Sequence, residues 1–175
     1  GFVTMLDEAS ATDFLATLRA GLAAYGYSGP RLVLETRYAA QAPERIAGFV
    51  SELDKRGVDV IVTHAAATPL VVAAPRSKPV VYQLSADPVT VGLSRDLVHP
   101  DNNATGVTLM MAELNAKRLD LAREIQPGLK RIAVLVNPLQ GGAALERKVV
   151  ETKAQQLGIE PLFEEVATQA ALERA

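Results

Sequence analysis

A hydroxyl and a carboxylate stand two residues apart in the segment Leu84-Ser85-Ala86-Asp87-Pro88-Val89. Ser85 can donate or accept a hydrogen bond, and Asp87 can bind a cation such as an ammonium group. The segment follows the apolar run Val80-Val81-Tyr82, which predicts a strand. Ligands of open α/β sheets bind at the carboxyl ends of strands. The segment is therefore a candidate binding site, with turn formation by Asp87 as the alternative.

Two further segments could bring polar groups to the same edge of a sheet. Ala67-Thr68-Pro69 predicts a helix start with Thr68 as its cap, and the backbone N–H groups there would attract a carboxylate or another anion. Asn137 follows an apolar run from Ile132 to Val136 and offers a side-chain amide. Capping or turn formation is again the alternative. Because Thr68, Asp87 and Asn137 all follow predicted strands, we expect them to share one site.

Other chemistries lack their motifs. Gly141-Gly142 follows a predicted strand without a third glycine, and no Walker-type Gly-Lys-Ser or Gly-Lys-Thr occurs, so no nucleotide cofactor is expected. His64 and His99 have no metal-ligand spacing, so no metal is expected. Ser85, His64 and Asp87 could compose a triad, but no G-x-S-x-G elbow surrounds the serine. We therefore predict a protein that is not an enzyme, with a solvated loop histidine as the simplest interpretation of His64.

The composition is that of a globular protein with a substantial core. Of the 175 residues, 49% are hydrophobic, and 18 basic and 20 acidic residues leave a net charge of -2. No basic run indicates nucleic-acid binding, and the absence of cysteine excludes disulfides and thiolate metal sites. No apolar stretch reaches the roughly 20 residues that span a membrane. The start at Gly1 instead of methionine suggests a mature or trimmed chain.

Short β-branched runs alternate with amphipathic helices along the sequence. The first helix is predicted to begin near Ser10 with a hydroxyl cap. This alternation is typical of parallel sheets with helices on both faces. The predicted strands cover approximately residues 2–5, 32–38, 58–63, 80–84, 106–110, 132–136 and 162–166.

A domain boundary is predicted near Met110. Residues 1–110 would form an N-terminal Rossmann-like lobe that ends in a crossover strand, a usual domain size. Residues 111–175 would form part of a second, similar lobe, because they contain only two predicted strands, too few for an independent sheet.

Several segments, in order along nearly the whole chain, carry a family resemblance. The chain resembles the substrate-binding proteins of ABC transporters, of the tryptophan/tyrosine type, which have the type I periplasmic-binding-protein fold. The order and spacing of the segments together are specific, although each alone is weak. The matching segments are Phe14 to Gly26, Glu35 to Ala39, Val58 to Val62, Ala67 to Pro69, Ser85 to Val89, Asn103 to Val107, Lys117 to Leu119 and Arg131 to Pro138.

This resemblance implies two Rossmann-like lobes that are joined by crossover strands, with Gly106 on the first crossover, and that close on a small ligand by hinge motion. It also implies that the chain stops partway through the second lobe. The segment Thr63 to Ala66 replaces a more glycine-rich turn of the family, so His64 is either a specificity residue or an exposed substitution. Asp101-Asn102 likewise stands where the family commonly has glycines.

The expected function is that of an extracytoplasmic receptor for an amino acid or similar small polar molecule, with an aromatic ligand as one option. We expect Ala67 and Thr68 to bind its carboxylate and Asp87 its ammonium group. Ser85 and Asn137 would complete the polar contacts, and Leu6 would line the apolar side.

The expected partners are the ligand and the permease subunits of an ABC importer, with no nucleic acid and no cofactor. The protein would lie in the periplasm or be held outside the cytoplasm by a lipid anchor that this chain lacks. The alternative is an effector-binding sensor domain of the same fold in a transcription regulator. An enzyme on a Rossmann-like scaffold is a third hypothesis, disfavoured by the missing motifs.

Overall fold

The computed structural model describes residues 1–99, 102–138 and 143–175, over which strands and helices alternate. This alternation confirms the α/β class predicted from the sequence. The strands are β1 (Phe2–Thr4), β2 (Thr36–Tyr38), β3 (Ile61–His64), β4 (Val80–Leu84), β5 (Ala104–Thr108), β6 (Arg131–Val136) and β7 (Glu160–Glu165). The helices are α1 (Glu8–Ala24), α2 (Ile46–Lys55), α3 (Thr68–Ala73), α4 (Met111–Ile125), α5 (Ala143–Leu157) and α6 (Gln169–Leu172).

Contacts between residues divide the described chain into two compact units. The first unit comprises Gly1–Leu84 and Val91–Val107, and the second comprises Ser85–Thr90 and Thr108–Ala175. The sequence places a boundary near Met110, whereas the contacts change unit after Val107. They also group the segment after β4 with the second unit.

The sheet of the first unit has the strand order β2-β1-β3-β4-β5 among the described residues. β1 pairs in parallel with β2 and β3, and β3 pairs in parallel with β4. In doubly wound sheets of this order the winding reverses between β1 and β3, and ligands bind at this switch point, outside the carboxyl ends of the strands. Thr4 ends β1 and His64 ends β3, so these two residues mark the switch point.

Apolar side chains cover both faces of the central strands in the first unit. Phe2 and Val3 of β1 are fully buried and point to opposite faces, because side chains alternate along a strand. Phe2 faces α1, where its ring centroid lies 5.4 Å from that of Phe14. α2 contributes buried side chains at helical spacing, namely Ile46, Val50 and Leu53.

β5 approaches β4 so closely at Gly106 that no side chain fits there. A Cβ added to Gly106 would overlap the carbonyl oxygen of Tyr82 and would lie 2.6 Å from Tyr82 Cδ2. Glycine is the residue that permits such an approach of two backbones. This steric requirement explains the glycine in the segment from Asn103 to Val107.

The described part of the second unit contains a parallel two-stranded sheet of β6 and β7. Ile132 and Val134 of β6 pack against α4 and α5, whereas Leu135 points to the opposite face and is 54% exposed. The core between sheet and helices is small. Its buried residues are Leu119, Val150, Ala154 and Ile159.

Candidate functional site

A row of polar side chains crosses one face of the first unit's sheet at its carboxyl edge. Thr4 aligns with Tyr38 across β1 and β2, and His64 aligns with Gln83 across β3 and β4. Residues that face each other in neighbouring parallel strands point to the same side of the sheet. The row therefore extends over four strands, with the Thr4–His64 pair at its centre.

The Thr4 hydroxyl joins the ends of β1 and β3. Its Oγ1 lies 2.8 Å from Nε2 of His64 and accepts a hydrogen bond of 3.1 Å from the backbone N–H of Leu6. Because Thr4 is fully buried, its hydroxyl proton needs an acceptor. Nε2 is the acceptor found among the described residues, which leaves the proton of the neutral imidazole on Nδ1.

Stacking fixes the plane of the His64 ring. Its centroid lies 4.3 Å from that of Phe14, with 15° between the planes, and 5.8 Å from that of Phe2. Burial lowers the pKa of His64 below its usual 6.5, because the charged imidazolium would lose water. The imidazole is therefore neutral at pH 7, with one donor nitrogen and one acceptor nitrogen.

Leu6 lies beside the Thr4–His64 pair, as expected for a residue at the sheet edge. Its N–H donates to Thr4 and its carbonyl accepts a hydrogen bond of 3.2 Å from Ala40, so both backbone groups are used. The side chain is half-buried. The sequence-predicted Leu6 is thus placed next to two polar residues, Thr4 and His64, that were not predicted with it.

Ala67 ends a 3-10 turn, Ala65–Ala67, that begins directly after His64, and Thr68 follows this turn. The prediction that Thr68 caps the helix is wrong. The cap position is Ala67, and Thr68 already has the helical angles φ -55° and ψ -52°, because the 3-10 turn runs straight into α3. Both residues are fully buried. The Thr68 hydroxyl has no hydrogen-bond partner among the described residues, and it is enclosed by protein atoms.

Ser85 and Asp87 lie in one turn of the second unit. The Asp87 carboxylate accepts hydrogen bonds from the N–H of Val89 (3.0 Å), the N–H of Thr90 (3.2 Å) and the Thr90 hydroxyl (2.6 Å). The Thr90 hydroxyl contributes most to holding the pKa of Asp87 below its usual range. Asp87 therefore forms this turn. Its charged carboxylate has about four acceptor positions and accepts these three hydrogen bonds, so it can accept one more.

Two hydrogen bonds connect this turn to the segment that leads into α4. The Thr108 hydroxyl donates to the carbonyl of Ala86 at 2.7 Å, and the N–H of Met111 donates to the carbonyl of Ser85 at 2.9 Å. Met110 between them has a left-handed conformation, with φ 48°. This is an uncommon conformation for a residue other than glycine, so these bonds hold a specific local geometry.

Asn137 lies at the carboxyl end of β6, where it lines a cavity of about 330 Å³ within the second unit. α4, α5, β6 and β7 all contribute to the wall. Apolar residues such as Leu119, Val150 and Phe163 form part of it, and Asn115 and Arg118 add polar groups. The predicted site residue Asn137 is thus placed beside a cavity that the sequence did not indicate.

The described ranges were also compared with the metal, nucleotide and membrane features considered from the sequence. Residues 1–99, 102–138 and 143–175 contain no cluster of three or more His, Asp or Glu side chains that could hold a metal ion. The glycine pair Gly141-Gly142 lies outside the described residues. No helix within those ranges is both long and apolar enough to cross a bilayer.

Comparison with known proteins gives one family and a consistent set of folds. Residues 2–172 match the model of a family described as ABC transporter substrate binding protein. Comparison with curated protein sequences gives no match.

The solved structures that resemble the chain include a conserved domain protein from Vibrio cholerae O1 biovar El Tor strain N16961. It is 25% identical with a TM-score of 0.74, over 99% of this chain and 59% of that one. An ABC domain from Streptococcus pneumonia, in complex with L-Trp, is 20% identical with a TM-score of 0.73, over 96% and 57%. A ligand-free, open substrate-binding protein with adhesive properties from Clostridium difficile is 18% identical with a TM-score of 0.66, over 99% and 59%. The chain therefore spans less than two thirds of each of these structures.

Proposed function

This chain belongs to the ABC transporter substrate-binding protein family, and we propose that it acts as a non-catalytic receptor for an amino acid. The fold supports this role, because doubly wound sheets bind small ligands at the switch point that Thr4 and His64 mark here. The streptococcal structure of similar fold contains L-Trp, which makes an aromatic amino acid the first ligand to test.

The observation that carries the choice of an amino acid is the Asp87 carboxylate. Its hydrogen bonds stabilise the charged form, so it is anionic at neutral pH. A charged carboxylate with an unused acceptor position fits an ammonium group. We propose that Asp87 binds the α-ammonium group of the ligand while it continues to form its turn.

The carboxylate of the ligand is proposed to lie near Ala67 and Thr68. The Thr68 hydroxyl has no partner among the described residues and is enclosed, so this assignment requires the side chains around it to shift, after which a ligand oxygen would give it a hydrogen bond. Ser85 and Asn137 are proposed as further polar contacts, and Leu6 as an apolar contact.

The proposed partners are the permease subunits of an ABC importer, and the proposed location is outside the cytoplasm, in the periplasm or on a lipid anchor. Both proposals follow from the role of a substrate-binding protein, which must meet its ligand before the ligand crosses the membrane.

Isothermal titration calorimetry of the full-length protein with a panel of amino acids tests this proposal. We expect at least one amino acid to bind, with L-tryptophan as the first candidate. Asp87→Asn should weaken L-tryptophan binding by about tenfold or more, because a charge-assisted hydrogen bond is lost. Indole-3-propionate, which lacks the ammonium group, should bind the variant and the parent protein equally.

Asp54→Asn is the matched control for this experiment. Like Asp87, which accepts from the N–H and the hydroxyl of Thr90, Asp54 accepts from the N–H (3.1 Å) and the hydroxyl (2.8 Å) of one residue, Ser77. The control variant should retain full affinity for L-tryptophan. If no amino acid binds the parent protein, the receptor proposal is wrong. Full L-tryptophan affinity in Asp87→Asn would instead refute the role of Asp87.

A further inference from the structure

His64 has a donor nitrogen that none of the described residues engages. Nε2 is engaged with the buried Thr4 hydroxyl, which places the imidazole proton on Nδ1. Nδ1 makes no hydrogen bond to any described residue, and the surrounding protein atoms do not enclose it. We propose that His64 is a specificity-determining residue whose Nδ1–H donates a hydrogen bond to the carboxylate of the amino-acid ligand.

The position of His64 supports a ligand contact. The residue ends β3 at the switch point between β1 and β3, where doubly wound sheets bind their ligands. It stands directly before the 3-10 turn that leads to Ala67 and Thr68, the residues proposed to contact the same carboxylate. The inference rests on the proposed function, and it adds a recognition residue from the carboxyl end of β3.

The ring is held in one orientation before any ligand arrives. The Thr4 contact at 2.8 Å fixes one nitrogen, and the Phe14 ring stacks on the imidazole at a centroid distance of 4.3 Å. A donor that is already oriented loses little conformational entropy when it binds. Three residues from separate elements, Thr4 on β1, Phe14 on α1 and His64 on β3, therefore define where Nδ1–H points.

The chemistry of this donor selects the carboxylate end of an amino acid. An ammonium group has donors and no acceptor, so it cannot pair with Nδ1–H, whereas a carboxylate oxygen can. Burial is the sole resolved cause of the lowered pKa of His64, with no contribution from a neighbouring charge. No protein carboxylate therefore competes for this donor among the described residues.

Side-chain geometry provides two matched variants. The amide nitrogen of asparagine stands at the same distance from Cβ as Nδ1, so His64→Asn keeps a donor at that position. Glutamine extends one atom further and matches Nε2, so His64→Gln keeps a partner for Thr4 and loses the Nδ1 donor. We expect His64→Gln to weaken the binding of L-tryptophan and of indole-3-propionate by about tenfold or more, because both ligands carry the carboxylate. His64→Asn should weaken the binding of both ligands much less.

Isothermal titration calorimetry of His64→Gln and His64→Asn in the full-length protein tests this inference. Equal affinities in His64→Gln and the parent protein would overturn the inference, and so would an equal loss in both variants, which indicates a purely structural role. The Asp87→Asn variant distinguishes the proposed ammonium contact of Asp87 from the carboxylate contact of His64, because it should weaken the binding of L-tryptophan and leave the binding of indole-3-propionate unchanged. Absence of binding by the parent protein refutes the proposed function, and this inference with it.

A second measurement does not depend on any ligand. Nitrogen-15 NMR of the ligand-free protein reports which imidazole nitrogen carries the proton, and assignment is simple because the sequence has 2 histidines. We expect the Nδ1–H tautomer for His64 at neutral pH. The Nε2–H tautomer would contradict the inference, because Nδ1 would then be an acceptor and would repel a carboxylate.

Discussion

At the residue scale, the neutral imidazole of His64 makes stability depend on pH. Burial lowers its pKa in the folded state below the 6.5 of an unfolded chain, so the unfolded state binds more protons between these two values. The free energy of unfolding should therefore decrease as the pH falls through about 6.5 and become level below the folded-state pKa. We expect His64→Asn to lose this component, as measured by denaturant midpoints between about pH 5 and about pH 7.5.

His99→Asn provides the control for this measurement. The side chain of His99 is 84% exposed and lies 3.5 Å from Asp96 on the surface of the molecule. This variant should show the same decrease in stability as the parent protein. A full pH dependence in His64→Asn would show that the imidazole is not responsible.

At the element scale, the pairing of β4 with β5 depends on the absence of a side chain at Gly106. Gly106→Ala places a Cβ against the backbone and ring of Tyr82, and the backbone carbonyl cannot rotate away as a flexible side chain would. We expect the strands to separate locally and the free energy of unfolding to fall by about 2 kcal/mol or more. Chemical denaturation monitored by circular dichroism measures this loss.

Gly21→Ala is the matched substitution without a steric conflict. Gly21 lies within α1, and a Cβ there would have no neighbour within 4 Å. The free energy of unfolding should rise by up to about 1 kcal/mol, because alanine favours a helix interior over glycine. If Gly106→Ala is as stable as Gly21→Ala, then β4 and β5 are not as close as the structure places them.

At the scale of the whole molecule, the two units differ in how much apolar surface they bury. The first unit buries side chains on both faces of its sheet, whereas the described second unit has a two-stranded sheet with Leu135 exposed on one face. Two-stranded sheets contribute little stability of their own. We therefore expect backbone amides of β1, β3 and β4 to exchange with deuterium more slowly than those of β6 and β7.

Hydrogen exchange followed by mass spectrometry measures this difference in the 175-residue chain. Peptides that cover β1, β3 and β4 should retain protection longest, and α1 serves as an internal reference for helix fraying. Equal protection in β6 and β7 would mean that the small core around Leu119 and Val150 is more stable than its size suggests.

The sequence predicts the order of elements well, because periodicity and strand propensity are local properties. It predicts element ends less well. The sequence predicts Ser10 as the cap of α1, but the Asp7 carboxylate is the cap and accepts from the N–H of Ser10 at 2.8 Å. Both residue types are good caps, and the local pattern does not choose between them. The strand predicted from Leu32 shortens to β2 because pairing with β1, not propensity, decides where it begins.

The candidate site is only partly visible in the sequence. Asp87 is identifiable because a carboxylate after a strand has local meaning, and its turn contacts are local too. The Thr4–His64 pair is different, since it requires β1 and β3 to be neighbours in the sheet. Strand order arises from how helices cover the two faces, and no short pattern around Thr4 or His64 records it.

Thr4 and His64 are 60 positions apart in the chain, yet one hydrogen bond defines the donor that His64 presents. During synthesis, the hydroxyl emerges long before the imidazole, and neither can be positioned until β3 has docked beside β1. Contacts between residues so distant in sequence carry a large loop-closure cost and tend to slow folding. The recognition chemistry at this edge is therefore acquired by completing the sheet, and a peptide fragment that ends before β3 would have none of it.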